Sequence, residues 1–418
     1  MDYIMQLGEN AKKAKAAIAN AKTGDKNRIL IKISENLRKN ADRILAENKK
    51  DLDNARDNGI SDAMSDRLRL SVGRIGAIAD ACLELTSLKD PAGEVLEGSV
   101  RPNGMKITKV RVPIGVIGII YESRPNVTVD AASLCIKSGN AVILRGGKEA
   151  INSNKALMDI MRESVAECGF PMDIVQLVED TSRESAVKMM KANGYIDVLI
   201  PRGGKGLISS VVQNATVPVI ETGSGNCHIY IDEGADINMA VDITDNGKTQ
   251  RPSVCNALET CLVHKAAAES FLPALKKRFE SHDTNVELRG CEQTRRILGS
   301  SVKPATDEDY ATEFNDYILA VKVVEDIEEA IAHISKYSTG HSECIVTEKL
   351  SSAEKFQQET DSACVYVNCS TRFTDGGEFG LGAEIGISTQ RLHARGPMGL
   401  NELTTCKYLV TGNGQIRQ

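Results

Sequence analysis

Short apolar runs alternate with helix-forming segments between residues 113 and 231, and this alternation limits the possible folds more than any other feature. Buried parallel strands are predicted for five of these runs, over residues 115–121, 141–144, 174–178, 196–200 and 217–220. Helices are predicted between them, over residues 127–137, 155–168, 182–192 and 207–213. This order of strand and helix predicts a doubly wound α/β domain with a parallel sheet.

The segments on either side have different patterns. The first ninety residues have helical periodicity, with helices predicted over residues 3–22, from Asp25 toward Gly59, and from Ser61 or Asp62 to about Leu88. A second α/β segment begins near residue 232, with predicted helices over 237–246, 266–278 and 327–335 and predicted strands at 262–263, 318–324, 344–346 and 365–368. Residues 375–399 are rich in glycine and are predicted to form an ordered loop.

Residues 95–112 have the pattern of a β-hairpin. Apolar and polar residues alternate on both sides of Pro102-Asn103-Gly104, and an Asn-Gly pair favours a tight hairpin turn. An isolated hairpin is only marginally stable in water. We therefore expect it to pair either with the C-terminal run 404–410 or with a second subunit.

Composition excludes several classes of function. The 418 residues carry a net charge of −6 without a long basic block, so a nucleic-acid partner is not expected. No apolar run approaches the length of a membrane-spanning helix, and the N-terminus lacks the pattern of a signal peptide. The 11 cysteines contain no C-x-x-C pair, which is typical of a reduced, cytoplasmic protein. No metal site is expected, since Cys364, Cys369 and His341 are better explained as buried side chains than as ligands.

One stretch carries the clearest chemical signal, Arg251-Pro252-Ser253-Val254-Cys255-Asn256. Cys255 lies between a proline-containing turn and a run that we predict as a helix, whose N-terminus would favour the thiolate. Glu221 lies upstream, at the end of a predicted strand. A thiol and a carboxylate are the minimum equipment for covalent acyl chemistry. The alternative is that Cys255 is an ordinary core cysteine.

A nucleotide cofactor is indicated less directly, because the sequence has no G-x-G-x-x-G fingerprint. The turn that contains Gly203 and Gly204 precedes a predicted helix, and it is either a phosphate site or a plain turn. Arg145 and Lys148 directly follow a predicted strand. Ligands bind at the carboxyl ends of such strands, and two cations there suit a 2′-phosphate, which favours NADP over NAD. The alternative is two surface cations in a loop.

Taken in order, several long motifs resemble the aldehyde dehydrogenase superfamily and, within it, the gamma-glutamyl phosphate reductase family. The resemblance covers almost the whole chain and is carried by residues 113–118, 121–128, 138–150, 200–204, 217–226, 248–256, 377–386 and 392–397. It implies an aldehyde dehydrogenase-like α/β fold of two doubly wound domains. The domains implied are an NADP-binding domain from residues 1–94 and 113–231, a catalytic domain from 232–391, and an oligomerisation hairpin and strand from 95–112 and 403–418.

The resemblance also implies catalytic roles. Cys255 matches the nucleophile of the family, and Glu221 matches the carboxylate that activates water in hydrolytic members. Ser123 stands where oxidising members carry an asparagine that donates to the oxyanion. This departure leaves the oxyanion to the backbone amide of Cys255, with the hydroxyl of Ser123 as a further donor.

The cofactor implied by the resemblance is NADPH. Glu313 corresponds to the carboxylate that holds the nicotinamide ribose. Arg145 and Lys148 fall on the adenine-ribose site, where Lys148 replaces an acid common in NAD-preferring members. Gly203 and Gly204 complete the expected set of cofactor residues.

The implied reaction is the reduction of L-glutamate 5-phosphate to L-glutamate 5-semialdehyde, the second step of proline biosynthesis, through a thioester on Cys255. Cationic and polar side chains are expected to hold the acyl phosphate, namely Arg124, Asn126, Lys248, Arg251, Asn256, His393 and Arg395. Expected partners are other copies of the chain, as a dimer or tetramer, and glutamate 5-kinase. The alternatives are a hydrolytic aldehyde dehydrogenase for another semialdehyde and a catalytically silent nucleotide-binding scaffold.

Overall fold

The structure is a computed structural model that describes residues 2–60, 62–122 and 124–417, and the side chains of residues 62–64 are outside this description. The chain divides into two units. Unit 1 comprises Met1–Thr222, Gly380–Gly386 and Met398–Gln418, and unit 2 comprises Gly223–Phe379 and Ile387–Pro397. The second unit therefore begins at Gly223, ahead of the boundary at residue 232 that the sequence suggests.

The first part of unit 1 is helical, as predicted. The helices of the whole of unit 1 are α1 (Tyr3–Ala19), α2 (Thr23–Lys39), α3 (Ala41–Asp57), α4 (Asp62–Leu68), α5 (Val72–Ser87), α6 (Pro125–Ser138), α7 (Ile151–Glu167), α8 (Arg183–Met190) and α9 (Lys205–Asn214). The single helix predicted up to Leu88 is wrong, because α4 ends at Leu68 and α5 starts anew. The reason is Ser71, whose side chain accepts the amide of Arg74 and caps the second helix.

Unit 1 contains two sheets. Their strands are β1 (Val95–Val100), β2 (Lys106–Pro113), β3 (Val116–Tyr121), β4 (Ala141–Arg145), β5 (Val175–Leu177), β6 (Val198–Arg202) and β16 (Thr404–Thr411). The larger sheet is parallel, in the order β5–β4–β3–β6. The strand predicted over residues 217–220 forms only one bridge, from Val219 to Leu199, since Pro218 has no N–H to donate.

The second sheet of unit 1 is antiparallel, in the order β1–β2–β16. The predicted pairing of the hairpin with the C-terminal run is confirmed by the register, which places Tyr408 opposite Lys109 and Val410 opposite Ile107. All residues of β1 are exposed, and so are those of β16 after Thr404.

Unit 2 is a second α/β unit. Its strands are β7 (Cys227–Ile231), β8 (Leu258–His264), β9 (Glu287–Gly290), β10 (Lys303–Pro304), β11 (Ile318–Val324), β12 (Ser342–Val346), β13 (Cys364–Val367), β14 (Ile387–Ser388) and β15 (Gly396–Pro397). Its helices are α10 (Ile237–Thr249), α11 (Lys265–Phe279), α12 (Glu292–Leu298), α13 (Asp307–Tyr310), α14 (Ile327–Tyr337) and α15 (Leu350–Glu359).

The main sheet of unit 2 is parallel throughout, in the order β10–β9–β11–β8–β7–β12–β13. Strand β7, which the sequence prediction missed, pairs with β8 and β12 near the centre of this sheet. The core lies where buried side chains of β7, β8 and β11 meet those of α11, such as Phe271 and Leu275. Strands β14 and β15 form a short antiparallel pair within the glycine-rich segment.

Helix length and polarity bear on a membrane role. Among the helices described, none is both long enough and apolar enough to cross a membrane.

Candidate active site

Cys255 lies in a turn between α10 and β8 and is partly exposed. The helix predicted after it is wrong, because the chain enters β8 at Leu258 and the whole strand is buried. The run contains Glu259, Thr260 and His264, so its hydrophobic pattern does not separate a strand from a helix, and the parallel sheet decides in favour of the strand. The thiolate therefore gains no stabilisation from a helix N-terminus at this turn.

The loop before β7 holds the Cys255 turn from one side. A Cβ placed on Gly225 would lie 1.3 Å from the carbonyl oxygen of Cys255, so only glycine fits there. The thiol of Cys227 donates to the same carbonyl at 3.2 Å. The amide of Gly225 donates to Glu313 Oε1 at 2.9 Å, which places the predicted ribose-binding carboxylate beside this loop.

A second turn, Thr371–Phe373, holds the Cys255 turn through Asn256. Asn256 Nδ2 donates to the carbonyl oxygens of Arg372 and Thr374, at 3.2 and 2.9 Å, and its own carbonyl accepts Thr371 Oγ1 at 2.8 Å. The prediction that Asn256 anchors the substrate stays a prediction, because its buried Oδ1 has no hydrogen-bond partner among the described residues. Its side chain is 4% exposed, and its amide group holds the neighbouring turn.

Sequence reasoning missed Arg372, which this second turn brings to the site. Arg372 Nε donates to Gln250 Oε1 at 2.9 Å, and the side chain is half-buried. Burial lowers the pKa of Arg372 below its ordinary value, and the nearby charge of Arg251 lowers it further, whereas Cys255 acts in the opposite direction. In the sequence Arg372 lies four residues after the predicted strand 365–368, a position that many surface arginines share and that does not identify a site.

Lys248 does not reach the substrate, and its predicted role is corrected. Its side chain is fully buried, and Nζ contacts Glu259 Oε2 at 2.5 Å and donates to the carbonyl of Leu258 at 2.9 Å. Burial lowers the pKa of Lys248 and raises that of Glu259 to about 7. The other carboxylate oxygen of Glu259 accepts the amide of Asn315 at 3.1 Å, so the pair supports the loop that carries Glu313.

The remaining predicted substrate residues of unit 2 are at its surface. Arg251 and His393 are exposed, and His393 adopts a left-handed backbone conformation with φ of 66°. Arg395 is exposed but forms an ion pair with Asp361 at 2.8 Å and donates to its carbonyl oxygen. A substrate carboxylate at Arg395 would have to compete with Asp361.

A buried polar network lies behind the Cys255 turn. His341 Nδ1 is 2.8 Å from Ser342 Oγ and 3.7 Å from the sulfur of Cys227. Burial lowers the pKa of His341 to about 4 and raises that of Cys227 well above its ordinary value. Both groups are therefore neutral at neutral pH, and Cys227 keeps the proton that it donates to the Cys255 carbonyl.

The cofactor residues predicted in unit 1 lie at the carboxyl edge of its parallel sheet. Arg145, at the end of β4, donates from Nη2 to the carbonyls of Thr181 and Ser182, at 2.8 and 3.0 Å. Its Nε is buried and has no hydrogen-bond partner among the described residues. Lys148 is exposed at the start of a 3₁₀ turn. A buried donor without a partner and an exposed cation fit a cofactor carrying a ribose phosphate.

Gly203 and Gly204 lie where the strand order of the unit 1 sheet reverses, between β3 and β6. Such a switch point is the usual ligand site of a doubly wound sheet. The amide of Gly204 donates to Glu122 Oε2 at 2.8 Å, and a Cβ on Gly203 would lie 2.6 Å from that carboxylate. A cofactor phosphate would take this amide only after Glu122 rotates away.

The other site residues predicted in unit 1 are Ser123, Arg124, Asn126 and Glu221. Arg124 is exposed at the N-cap of α6, and Asn126 donates to Asp130 Oδ2 at 2.9 Å. Glu221 is partly exposed and directly precedes Thr222, where the first segment of unit 1 ends. Ser123 lies outside the described residues. In the ranges that the structure covers, no three His, Cys, Asp or Glu side chains form a group that could hold a metal ion.

Comparison with known proteins assigns the class. The model of the aldehyde dehydrogenase family matches residues 3–295 and 305–408. The chain therefore belongs to the aldehyde dehydrogenase family.

Its position within that family follows from more similar proteins. Gamma-glutamyl phosphate reductase of Caldanaerobacter subterraneus is 59% identical over 417 residues, covering 99% of this chain and 100% of that protein. Gamma-glutamyl phosphate reductase of Clostridium perfringens is 59% identical, covering 98% of each chain. The crystal structure of the Thermotoga maritima gamma-glutamyl phosphate reductase superposes with a TM-score of 0.97, at 51% identity and complete coverage of both chains. This chain is a member of the gamma-glutamyl phosphate reductase group.

Proposed function

We propose that the protein reduces L-glutamate 5-phosphate to L-glutamate 5-semialdehyde with release of phosphate, the second step of proline biosynthesis. The observation that carries this proposal is the Cys255 turn itself. It presents a partly exposed thiol beside two arginines, Arg251 and Arg372, in a chain of this family. A thiol supplies the nucleophile, and cations suit a substrate whose leaving group is phosphate.

The first step is acyl transfer to sulfur. The Cys255 thiolate attacks the acyl carbon, a C–S bond forms, and the C–O bond to phosphate breaks. The carbonyl of Cys255 is held by Gly225 and Cys227, and the following residue, Asn256, is held by the Thr371–Phe373 turn. This support orients the nucleophile before substrate arrives, and such orientation lowers the barrier.

The second step is reduction of the thioester. The nicotinamide cofactor supplies the hydride that reduces the thioester carbon. The resulting hemithioacetal anion on Cys255 collapses to the aldehyde as the C–S bond breaks and the thiolate leaves. An oxyanion donor contributes about 2.7–4 kcal/mol in acyl transfer. Ser123 is proposed for this role, and Glu221 as the carboxylate that handles protons.

We propose NADPH as the cofactor, held by Arg145, Lys148, Gly203, Gly204 and Glu313. The exposed charge of Lys148 and the unpartnered Nε of Arg145 support the choice of the phosphorylated nucleotide. Arg124, Asn126, Arg251, Asn256, His393 and Arg395 remain the proposed contacts of the substrate. We also propose a cytoplasmic location, since all eleven cysteines are free thiols, as in a reducing compartment.

The experiment that tests this function traps the thioester. The protein is incubated with glutamate 5-semialdehyde and NADP without phosphate, and its intact mass is measured. We expect one glutamyl adduct, mapped to Cys255 and absent from Cys255→Ala, with one equivalent of NADPH formed. Adduct formation on Cys255→Ala, or its absence from the unaltered protein, would contradict the proposal.

Acyl phosphates hydrolyse readily, so the kinase that makes this substrate is the expected partner. We propose contact with glutamate 5-kinase. Co-purification or cross-linking of the two proteins tests this contact. Substitutions of exposed residues in either protein that abolish the cross-link would map it.

A further inference from the structure

The burial of Lys248 leaves the departing phosphate without one of its predicted cations. The structure offers another cation in unit 2. We propose that the guanidinium of Arg372, together with Arg251, forms the subsite that binds the phosphate group of the substrate and, in the reverse direction, inorganic phosphate. This inference rests on the proposed function and assigns a specificity-determining residue to it.

Hydrogen bonds of both its backbone and its side chain fix the position of Arg372. Its carbonyl accepts Asn256 Nδ2, its amide donates to Ser370 Oγ at 3.3 Å, and its Nε donates to Gln250 Oε1. Both Gln250 and Asn256 lie within five residues of Cys255 in the sequence. The guanidinium is therefore oriented by the same turn that carries the nucleophile.

The outer edge of this guanidinium is not used by the protein. Within residues 2–60, 62–122 and 124–417, the Nη groups of Arg372 have neither a hydrogen-bond partner nor a carboxylate at ion-pair distance. Arg251 likewise has no ion pair in that part of the chain. An arginine fixed at Nε with both Nη groups open presents a planar pair of donors, which matches two phosphate oxygens.

The charges also favour an anion. A half-buried cation costs free energy, and a like charge nearby adds to that cost. Arg251 is such a neighbour of Arg372. Cys255, Asp375 and Cys227 favour the charged form of Arg372, but its pKa is still lowered overall. A phosphate dianion would offset both costs at once, whereas water or a neutral acceptor would not. The arrangement thus selects phosphate as the leaving group and as the acceptor.

The chemistry of the reverse step defines what this site must do. A phosphate oxygen attacks the thioester carbon, a C–O bond forms, the C–S bond breaks, and the Cys255 thiolate leaves. No oxidation or reduction accompanies this exchange. Arg372 would hold the attacking phosphate, whereas formation of the thioester from aldehyde and NADP would not need it.

The first test measures binding without turnover. Alkylation of Cys255 by iodoacetamide is followed by mass spectrometry with and without inorganic phosphate. We expect phosphate to slow alkylation of the unaltered protein and of Arg296→Gln, an exposed arginine on α12 that controls for the lost charge. In Arg372→Gln the protection should require at least about tenfold more phosphate, because a hydrogen bond to a charged group contributes roughly 10- to 100-fold in affinity. Equal protection in Arg372→Gln would overturn the inference.

The second test separates this inference from the proposed function. In the reverse reaction, the burst of NADPH without phosphate reports thioester formation, and the later turnover reports attack by phosphate. Arg372→Gln should keep the burst and raise the KM for phosphate, with partial recovery in Arg372→Lys. Loss of the burst in Arg372→Gln would show a structural role and overturn the subsite. Absence of the burst in the unaltered protein would overturn the proposed function itself.

Discussion

Burial decides the role of Lys248. It is fully buried with Glu259, in a pair that supports the loop carrying Glu313. Its position close to Cys255 in the sequence suggested a phosphate contact, because charge is visible in a sequence and burial is not. Only the packing of α10 against β8 shows that this lysine points away from solvent.

Replacement of Lys248 by methionine should therefore reduce stability. Glu259 would lose its buried partner and take up a proton, since burial already raises its pKa to about 7 and Lys248 opposes that rise. Breaking such a buried pair costs about 3–5 kcal/mol. Chemical denaturation measures the loss of unfolding free energy. Lys265→Met is the matched control, since its pair with Glu325 is exposed and should contribute at most about 1 kcal/mol. Normal stability of Lys248→Met with a raised KM for phosphate would restore the original assignment.

Other residues of the site differ in how far sequence could identify them. Cys255 was predicted through a long motif, whereas Glu313 was predicted from a looser correspondence outside these motifs. Arg372 was not, because it reaches the site through contacts with residues more than one hundred positions away, as the bond from Asn256 shows. Such contacts leave no local signal in a single sequence.

At the scale of elements, the site of unit 2 lies at the amino ends of parallel strands. Gly225 precedes β7, Cys255 precedes β8, Glu313 precedes β11 and His341 precedes β12. Ligands usually bind at the carboxyl ends of such strands, and the predicted cofactor residues of unit 1 follow that rule. The two units therefore use opposite edges of their sheets.

The position of the Cys255 turn is sensitive to any side chain added at Gly225. Gly225→Ala would force the loop before β7 away from the carbonyl of Cys255. Displacement of a reacting group by 1 Å costs on the order of 10²-fold in rate. We expect kcat to fall by about that factor while NADPH binding, measured by fluorescence titration, changes little. The control is Gly24→Ala in α2, where an added Cβ meets nothing within 4 Å, and equal activity of both variants would contradict this account.

Most elements could be predicted from periodicity, and the exceptions have physical causes. Strand β11 was predicted with its observed bounds. Helices α10 and α14 were predicted with the correct start, but the predicted ranges end before the observed helices do. Strand β7 was missed because its run contains His228 and Tyr230, whose polar groups disguise a fully buried strand. The run after Cys255 was predicted as a helix because Glu259 and Thr260 interrupt the apolar pattern of this buried strand.

At the scale of the whole molecule, the β1–β2–β16 sheet has the features of an interface. Neighbouring residues of a strand point to opposite faces, yet Tyr408, Leu409 and Val410 are 62%, 47% and 57% exposed. Strand β16 also has an unpaired edge in this sheet. Exposed apolar side chains and a free strand edge favour association. The dimer or tetramer expected from the sequence remains a prediction, and this sheet is its proposed contact.

The double variant Leu409→Lys/Val410→Lys should therefore dissociate the assembly. Each substitution places a charge in a contact that would otherwise exclude water. Size-exclusion chromatography with light scattering should show an oligomer for the unaltered protein and a single chain for the variant. Leu350→Lys, at a leucine of unit 2 that is 73% exposed, should leave the mass unchanged. A monomeric unaltered protein, or an oligomer that survives the double variant, would contradict the proposed contact.

We propose that Cys255 transfers the glutamyl group between phosphate and the reducing step. It is tested most directly in reverse, by supplying glutamate 5-semialdehyde and NADP and measuring NADPH with and without inorganic phosphate. We expect continued turnover only with phosphate, and a single burst of NADPH without it. Equal rates without phosphate would show that water accepts the acyl group, and the protein would then be a hydrolytic aldehyde dehydrogenase with Glu221 as its base.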